Sequence, residues 1–356
     1  MTLVRHLAVA VVLGALLVII SITISPFRDY QMAEVACYVV AVAGLTTLVG
    51  LSGQISLGNG AFMAIGAYAA ALLLLHLRWT LAVVLLASAA AAAAGGAVVG
   101  VAAARLRGPY LAGATLMLAV ALPSLALRFG LLGGDQGLTV VITSPGFLGP
   151  TFPVTRWQAW LTCGCALIVL VLLANLARSR VGRSWRAAGD DEVAAALAGL
   201  NVARLRVLAF VVSAACAGLA GGLLAVTTSI ISPEAFTLTL SIALLTGAVL
   251  GGLGTLPGAV WGSLVLVLVP TYVTDTASSH GLSSSAGSNI PVAAYGVVLI
   301  AVMLVFPDGI QGGLRRLGRL GQPLAARLPA RGLPWRRAPG PQLHAPAGEH
   351  QEEGSI

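Results

Sequence analysis

The chain has 356 residues, of which 58% are hydrophobic and only 9% are charged, and its formal net charge is +8. A mean hydropathy of +0.95 excludes an ordinary water-soluble domain, because so apolar a chain needs hydrocarbon as its solvent. The short alternating strands of a membrane barrel are missing from the sequence, so the composition predicts an all-α, polytopic transmembrane bundle.

Uncharged or nearly uncharged runs follow one another along the chain, each near the roughly 20 residues that one helical crossing requires. They fall at 7–25, 32–51, 61–77, 79–104, 109–127, 157–177, 207–231, 236–256, 257–274 and 290–306. The breaks at 52–60 and 251–258 contain no charge that would mark a full exit from the membrane. We therefore expect eight to ten spans.

The first of these breaks, SGQISLGNGAF, places the polar residues Gln54, Ser56 and Asn59 at membrane depth among several glycines. Irregular backbone is tolerated at that depth only where it is buried in protein or lines a wet cavity. The pattern predicts a substrate path or a hinge. The alternative is a tight cytoplasmic turn that joins two spans.

The second break, GGLGTLPG, is the candidate partner of the first across the bundle. The glycines that we assign to the same substrate path are Gly251, Gly252 and Gly254. A nucleotide-binding loop is discarded here, since no GK[ST] follows the glycines and no strand precedes them. No other pattern in the sequence predicts a cofactor.

The longest charged interruption is RSRVGRSWRAAGDDEVAAALAGLNVARLR at 178–206. It begins as a basic exit from the membrane and then carries three acids, which stabilise a helix N-terminus because they oppose the positive end of its dipole. A short amphipathic helix is therefore predicted, with Gly199 and Asn201 reversing the chain and capping the next span. Val193, Leu197 and Leu200 would form its apolar stripe.

The residues assigned to this predicted helix are Asp190, Asp191, Glu192, Val193, Ala196, Leu197, Gly199 and Leu200. From the pattern alone, a surface loop that folds back on its own membrane domain explains the segment equally well.

All 20 basic residues are arginines, and they lie at the ends of apolar runs and in the last part of the chain. With ten spans and a cytoplasmic N-terminus, only Arg28, Arg78, Arg128 and Arg156 fall outside. This bias reports membrane orientation rather than nucleic-acid binding, and it places 178–206 and both termini in the cytoplasm. The mixture of Arg, Pro and Gly at 313–356 predicts a disordered cytoplasmic tail beyond a membrane domain at 1–312.

The chemistry-bearing side chains do not form a catalytic or metal-binding pattern. Cys37, Cys163, Cys165 and Cys216 all lie inside apolar runs, where a packing role is expected. The histidines lack metal-ligand spacing, and the sequence brings no Ser, His and Asp set together. The sequence predicts neither a metal site nor catalysis.

Seven further landmarks occur in a fixed order around the charged segment. They are LVGLSGQISLGNGAFMAIGAYAAALL at 48–73, RLRGPYLAGATL at 105–116, GGDQGLT at 133–139, FVVSAACAGLAGGLLA at 210–225, ISPEAF at 231–236, VLGGLGTLPGAVWG at 249–262 and VMLVFPDGI at 302–310. Together with GRSWRAAGDDEVAAALAGLNVARLRVLAF, they resemble the permease subunits of ABC importers for branched-chain amino acids. The resemblance extends over most of residues 30–312.

The resemblance implies a multi-pass permease of the bacterial plasma membrane, driven by separate ABC ATPase subunits. In related importers an Ala-rich helix ending in Gly docks into a groove on the ATPase, and its counterpart here is Glu192 to Gly199. The implied partners also include a second homologous permease, an extracytoplasmic solute-binding protein and an amino-acid substrate. In the predicted topology Asp135 and Glu234 lie on the outer side, where they are candidate contacts for a delivery protein or for the ammonium group of an amino acid.

Three alternatives to the branched-chain importer stay open at this point. A urea or short-amide ABC importer shares the landmarks. An autonomous secondary transporter would need ionisable groups at the bilayer midplane, and the sequence offers no convincing set. A membrane scaffold without transport would leave the cytoplasmic helix unexplained.

Overall fold

The computed structural model describes the greater part of the chain up to residue 279 and a few short stretches after it. The described residues are 2–77, 79–105, 109–142, 144, 152–279, 296–297, 300–301, 304 and 309–320. Met1–Leu314 form one compact unit and Arg315–Ile356 a second. Most of the predicted span 290–306, and the predicted tail beyond residue 320, lie outside the described residues.

Within the described ranges the chain is almost entirely helical. The α-helices are α1 Thr2–Thr23, α2 Pro26–Ser52, α3 Asn59–Leu72, α4 Leu81–Ala103, α5 Pro109–Arg128, α6 Val154–Arg178, α7 Arg180–Asp190, α8 Glu192–Leu197, α9 Val202–Thr228, α10 Leu238–Gly251, α11 Leu256–Ser279 and α12 Gly309–Leu320. A π-helical turn, Leu73–Leu77, continues α3. Two short strands, β1 Leu138–Thr139 and β2 Ile230–Ile231, pair antiparallel.

Seven of the described helices are long and apolar enough to cross a membrane: α2, α3 with its π-helical turn, α4, α5, α6, α9 and α11. The shorter apolar helices Val11–Thr23 and Leu238–Gly251 add to them. A helix satisfies its own backbone groups, which is the condition for crossing hydrocarbon. The predicted all-α polytopic bundle is therefore confirmed.

The helix boundaries follow local chemistry. Pro26 occupies the first turn of α2, where its missing N–H costs nothing, and Asp29 adds an acid to the same turn. The helix ends at Gly53, whose φ of +68° is the left-handed conformation that glycine adopts most easily. α9 begins instead at a side-chain cap, because the Arg204 N–H donates to Asn201 Oδ1 at 3.0 Å.

α2 and α9 form the centre of the bundle, and most of their residues at 36–48 and 213–227 are buried. α9 packs against α2, α3 and α4, while α2 also contacts α6, α10 and α11. Small residues permit these close contacts: a side chain at Gly66 would clash with the Gly218 backbone, and one at Gly218 would clash with Ala92 of α4. Such packing is typical of helices in membranes, where burial of apolar surface alone does not drive association.

The described contacts define two opposite ends of the bundle. We call the end that carries 178–206 the arginine-rich end, and there Gly189 lies against Leu51 and Ser52. We call the end that carries β1 and β2 the strand end, and there Arg156 pairs with the buried Asp29 at 3.5 Å.

The arginines separate between these ends as the sequence predicts. Arg105, Arg178, Arg180, Arg183, Arg186, Arg204 and Arg206 lie at the arginine-rich end, and Arg28, Arg128 and Arg156 lie at the strand end. Which end faces the cytoplasm stays a prediction.

Two boundaries predicted from the sequence were wrong. The stretch 180–190 is not a plain membrane exit but a helix of its own, α7. α10 is only 14 residues long and follows a 3-10 helix at Pro233–Phe236, so it crosses less of the membrane than a full span.

Candidate functional site

α7 is fixed to the bundle by its buried face. The Trp185 side chain is 0% exposed, and its Nε1–H donates to the Leu205 carbonyl of α9 at 2.9 Å. The Ser179 hydroxyl caps the helix by accepting from the Gly182 N–H at 3.3 Å. At the other end of α7, Gly189 lies against the last turn of α2. α7 is thus held by two core helices, α2 and α9.

α8 follows α7 after one residue and is built by a strong cap. Asp191 Oδ1 accepts from the backbone N–H groups of Val193 at 2.8 Å and Ala194 at 3.0 Å. The chain then leaves the helix through Gly199, whose φ is +84°. The predicted short helix and the predicted reversal and cap at Gly199 and Asn201 are therefore confirmed.

The limits predicted for this helix need two corrections. Asp190 is the last residue of α7 and not the first of the short helix, because the chain is extended at Asp191. Leu200 lies beyond Gly199 and so cannot extend a helical stripe from Val193 and Leu197. The apolar surface of α8 consists of those two residues and the alanines around them.

α8 turns its larger apolar side chains away from the bundle. Val193 is 69% exposed and Leu197 is 84% exposed, whereas Ala195 on the other face is buried. Glu192 does not point outward freely, because its carboxylate pairs with the Arg206 guanidinium of α9. α8 is therefore held to α9 by the ion pair of Glu192 and exposes the apolar side chains of Val193 and Leu197.

The segment between α2 and α3 forms a second candidate site. Gln54, Ser56 and Asn59 are all buried, at 5%, 0% and 1% exposure. Six non-helical residues, 53–58, separate the two helices. A stretch of this length is not a tight turn; its backbone is irregular, with Gln54, Ser56 and Gly58 buried and Gly53 and Ile55 exposed.

This segment is hydrogen-bonded to three other helices. The Leu57 N–H donates to Thr115 Oγ1 of α5 at 3.0 Å, and the Gly60 N–H donates to Ser241 Oγ of α10 at 3.1 Å. The Asn59 amide donates to Ser213 Oγ of α9 at 3.5 Å. We call Gln54, Ser56, Asn59, Thr115, Ser213 and Ser241 the polar cluster.

Two oxygens of the polar cluster stay unpaired among the described residues. They are Gln54 Oε1 and Asn59 Oδ1, and both atoms are inaccessible to solvent. A buried acceptor without a donor costs about 1–3 kcal/mol, so these oxygens are ready to accept a hydrogen bond from water or from a cationic group. Such a site can bind a small polar molecule or help to pass it along.

The glycine break at 251–258 meets α2 rather than the polar cluster. Gly254 lies so close to Gly50 that a side chain at residue 50 would clash with its backbone, and Gly252 lies against Gly309. Gly252 and Gly254 have φ values of +108° and +74°. The structure therefore brings the two breaks to neighbouring places, but Gly251, Gly252 and Gly254 do not join the hydrogen bonds around Asn59.

Sequence reasoning missed four residues of these sites. Thr115, Ser213 and Ser241 are hydroxyl groups in apolar runs, a signal that exists in the sequence but does not say which partner they meet. Trp185 was hidden among arginines, although its spacing from Gly182 and Ala188, both buried, matches one helix face.

The two acids predicted to meet a delivery protein lie at the same end of the bundle. Asp135 and Glu234 are both exposed, and the pairing of β1 with β2 brings their segments together. Leu138 pairs with Ile231 across this ribbon. The strand end therefore presents two carboxylates on a connected surface.

These features define a class: a multi-pass helical membrane protein with a tethered, exposed helix at one end and a buried polar cluster inside. Comparison with protein families matches residues 28–307 to the family described as the permease component of the branched-chain amino acid transport system. The chain belongs to this family.

Individual relatives agree with the family match. The chain is 35% identical over 262 residues to the high-affinity branched-chain amino acid transport system permease protein LivM of Escherichia coli (strain K12), covering 67% of this chain and 61% of that protein. It is 34% identical to LivM of Salmonella typhimurium (strain LT2) over the same lengths. BraD of Pseudomonas aeruginosa is 35% identical over 146 residues, 41% of this chain and 44% of BraD.

The chain thus spans less than two thirds of the length of the LivM proteins that it matches. No solved structure matches it.

Proposed function

We propose that this chain is the membrane permease subunit of an ATP-driven importer that moves branched-chain amino acids inward. Separate ATPase subunits hydrolyse ATP, a second homologous permease completes the path, and a solute-binding protein delivers the substrate. The family description and the names of the relatives favour branched-chain amino acids over urea or short amides. In this proposal the protein lies in the bacterial inner membrane with the arginine-rich end and both termini in the cytoplasm.

The observation that carries the proposal is the exposed tip of α8. A helix of six residues is too short to be stable alone, so its cap at Asp191, its buried Ala195 and its ion pair to Arg206 are needed to hold it. Val193 and Leu197, one turn apart, then face outward. An apolar pair at this spacing on a supported helix suits a groove on a partner protein.

The contacts that hold α7 and α8 against α9 offer a route by which motion of the ATPase reaches the path. α7 is bonded to α9 through Trp185, and α8 is joined to α9 through Glu192 and Arg206. α9 carries Ser213 of the polar cluster. A displacement of α8 therefore acts on a helix that contacts the proposed path directly.

In this proposal the polar cluster lies on the path of the amino acid. Gln54 Oε1 and Asn59 Oδ1 are acceptors that suit the ammonium group of an amino acid. The neighbouring contact of Gly50 with Gly254 is made by backbone alone, so the helices there can shift without displacing large side chains. At the strand end, Asp135 and Glu234 are the proposed contacts for the solute-binding protein.

The coupling assignment is tested by Leu197→Arg. Because Leu197 is 84% exposed, the variant should fold normally, but a charge on the tip should prevent docking into an apolar groove. We expect the ATPase subunits to be lost from affinity-purified complexes, together with substrate-stimulated ATP hydrolysis. The matched control is Leu131→Arg at the strand end, where the side chain is 66% exposed. Normal coupling in Leu197→Arg would overturn the assignment.

The path assignment is tested by Asn59→Ala in the assembled transporter. Loss of the acceptor should lower the amino-acid uptake rate by about tenfold or more, while basal ATP hydrolysis continues. Thr47→Ala is the control, since Thr47 is buried in the same helix pair but donates only to the Ala43 carbonyl of its own helix. Unchanged uptake in Asn59→Ala would remove the polar cluster from the path. Uptake by vesicles without ATP or any ATPase would instead favour a secondary transporter.

A further inference from the structure

A groove between α4 and α9 opens at the arginine-rich end, apart from α8 and the polar cluster. Its volume is about 480 Å³. Aliphatic side chains make up most of its wall, among them Val101, Val207 and Leu208, and two arginines, Arg105 and Arg204, are also among the residues that line it. The transport function proposed above uses none of these residues.

The depth of the groove follows from the two helices that form it. α4 carries no charged residue before its end at Ala103, and Arg105 is the first charge after it. α9 has its last charge at Arg206 and continues as uncharged sequence. Both helices therefore pass from water to hydrocarbon at this level, with the arginines at headgroup depth and the aliphatic wall beneath them.

The side chains around the groove fit a molecule with an anionic head and an apolar chain. Val101 is 55% exposed and Leu208 is 41% exposed, so the wall faces the surroundings of the bundle. In the part of the chain that the structure describes, neither Arg105 nor Arg204 pairs with a carboxylate. A free phosphate would leave the aliphatic wall uncovered, whereas an anionic lipid satisfies both parts.

We propose that an anionic phospholipid occupies this groove. Its phosphate binds the guanidinium groups of Arg105 and Arg204, and one acyl chain lies along Val101, Val207 and Leu208. The proposal depends on the depth and charge of the groove and not on the transport function, so either can fail without the other.

Occupation of the groove would also bear on α8. The Arg204 backbone N–H donates to Asn201 Oδ1, the cap of α9, and Arg206 in the same turn pairs with Glu192. A lipid bound to the Arg204 side chain would restrain the first turn of α9, to which α8 is joined by the ion pair of Glu192 with Arg206. This consequence rests on the proposed function, and the binding itself does not.

The test is native mass spectrometry of the purified full chain in detergent, delipidated and then titrated with equal amounts of phosphatidylglycerol and phosphatidylcholine of the same acyl chains. We expect preferential phosphatidylglycerol adducts. The double variant Arg105→Gln, Arg204→Gln should lose this preference by about fivefold for each guanidinium removed. The control pair, Arg28→Gln with Arg128→Gln, removes the same charge at the strand end and should keep the preference.

Two further arms separate a lipid from other occupants. Ala104→Phe keeps both arginines but fills the groove, so it should abolish the phosphatidylglycerol preference. Excess inorganic phosphate should leave the adducts in place. The proposal is overturned if the Arg105, Arg204 variant binds like the parent, if the control pair loses as much preference, or if phosphate displaces the lipid. It is also overturned if Leu208→Cys cross-links to a partner permease in membranes, because a protein helix would then fill the groove.

Discussion

α7 and α8 are consecutive short helices at the same end of the bundle, yet their relations to it are opposite. α7 buries Trp185 completely and bonds it to α9, whereas α8 leaves Leu197 84% exposed. Both carry apolar side chains in a charged segment, so composition alone does not distinguish them. The segment therefore combines a helix that is fixed to the bundle with one whose apolar side chains are uncovered, so the residues that stabilise it are not those that we propose for docking.

Trp185→Ala should produce the largest effect, because it removes the side chain that anchors α7 to α9. Truncation leaves a cavity and removes the hydrogen bond from the indole to the Leu205 carbonyl, and we expect a loss of about 3–5 kcal/mol in the free energy of unfolding. Titration of the full chain with sodium dodecyl sulfate in mixed micelles measures it. Trp185→Phe, which keeps much of the packing and loses the hydrogen bond, should lose less. If Trp185→Ala unfolds like the parent, α7 is not an anchored helix.

Asp191→Ala should produce an intermediate and local effect. It removes the acceptor for the Val193 and Ala194 N–H groups, which costs about 1 kcal/mol of helix stability. We expect those two amides to exchange hydrogen about fivefold faster in exchange mass spectrometry, while global unfolding stays the same. Asp191→Asn retains an acceptor and should preserve most of the protection. A fall in global stability as large as that of Trp185→Ala would contradict the conclusion that α7, and not α8, stabilises the segment.

Val193→Ala should change stability least, so it separates the proposed docking of α8 from the stability of the segment. With 69% of Val193 exposed, its truncation should alter the free energy of unfolding by less than about 0.5 kcal/mol. The affinity for the ATPase subunits should nevertheless fall by several-fold, measured by titration of the reconstituted permease. Val141→Ala, at an 84% exposed valine of the strand end, is the matched control and should leave the affinity unchanged. Equal affinity in both variants would refute α8 as the contact.

The sequence was most informative where hydrophobic runs are long. The apolar stretches that became α2, α4, α6 and α9 were predicted as spans, because about 20 apolar residues have few alternatives to a membrane helix. The reversal at Gly199 and the cap at Asn201 were also predictable, since both depend on the properties of single residues.

The charged segment was predicted less well. The arginines around Trp185 indicated a membrane exit, and their positive charge concealed the face on which Gly182, Trp185 and Ala188 are buried. Whether a face is buried depends on a surface elsewhere in the chain, here on α9. A periodic pattern without a known partner therefore did not identify α7 as a helix.

The polar cluster was also predicted only in part, because its members are far apart in the chain. Gln54, Ser56 and Asn59 were identified as unusual for their depth, but the sequence did not give the partners of this segment. Asn59 bonds to Ser213 of α9, and the neighbouring backbone N–H groups of Leu57 and Gly60 bond to α5 and α10, up to 181 residues away in the chain. Serine and threonine in a membrane helix can also bond to their own backbone, as Thr47 does. The sequence could not decide between these two uses.

Hydropathy and charge along the chain were enough to predict a membrane environment, the helical class, most of the spans and the separation of the arginines between two ends, because each residue interacts with water and lipid on its own. The folded structure was needed to show that Trp185 anchors α7, that Val193 and Leu197 stay exposed on α8, and that Asn59 bonds to Ser213. Those outcomes depend on contacts between residues far apart in the chain, and a contact is a property of two surfaces and not of either one alone.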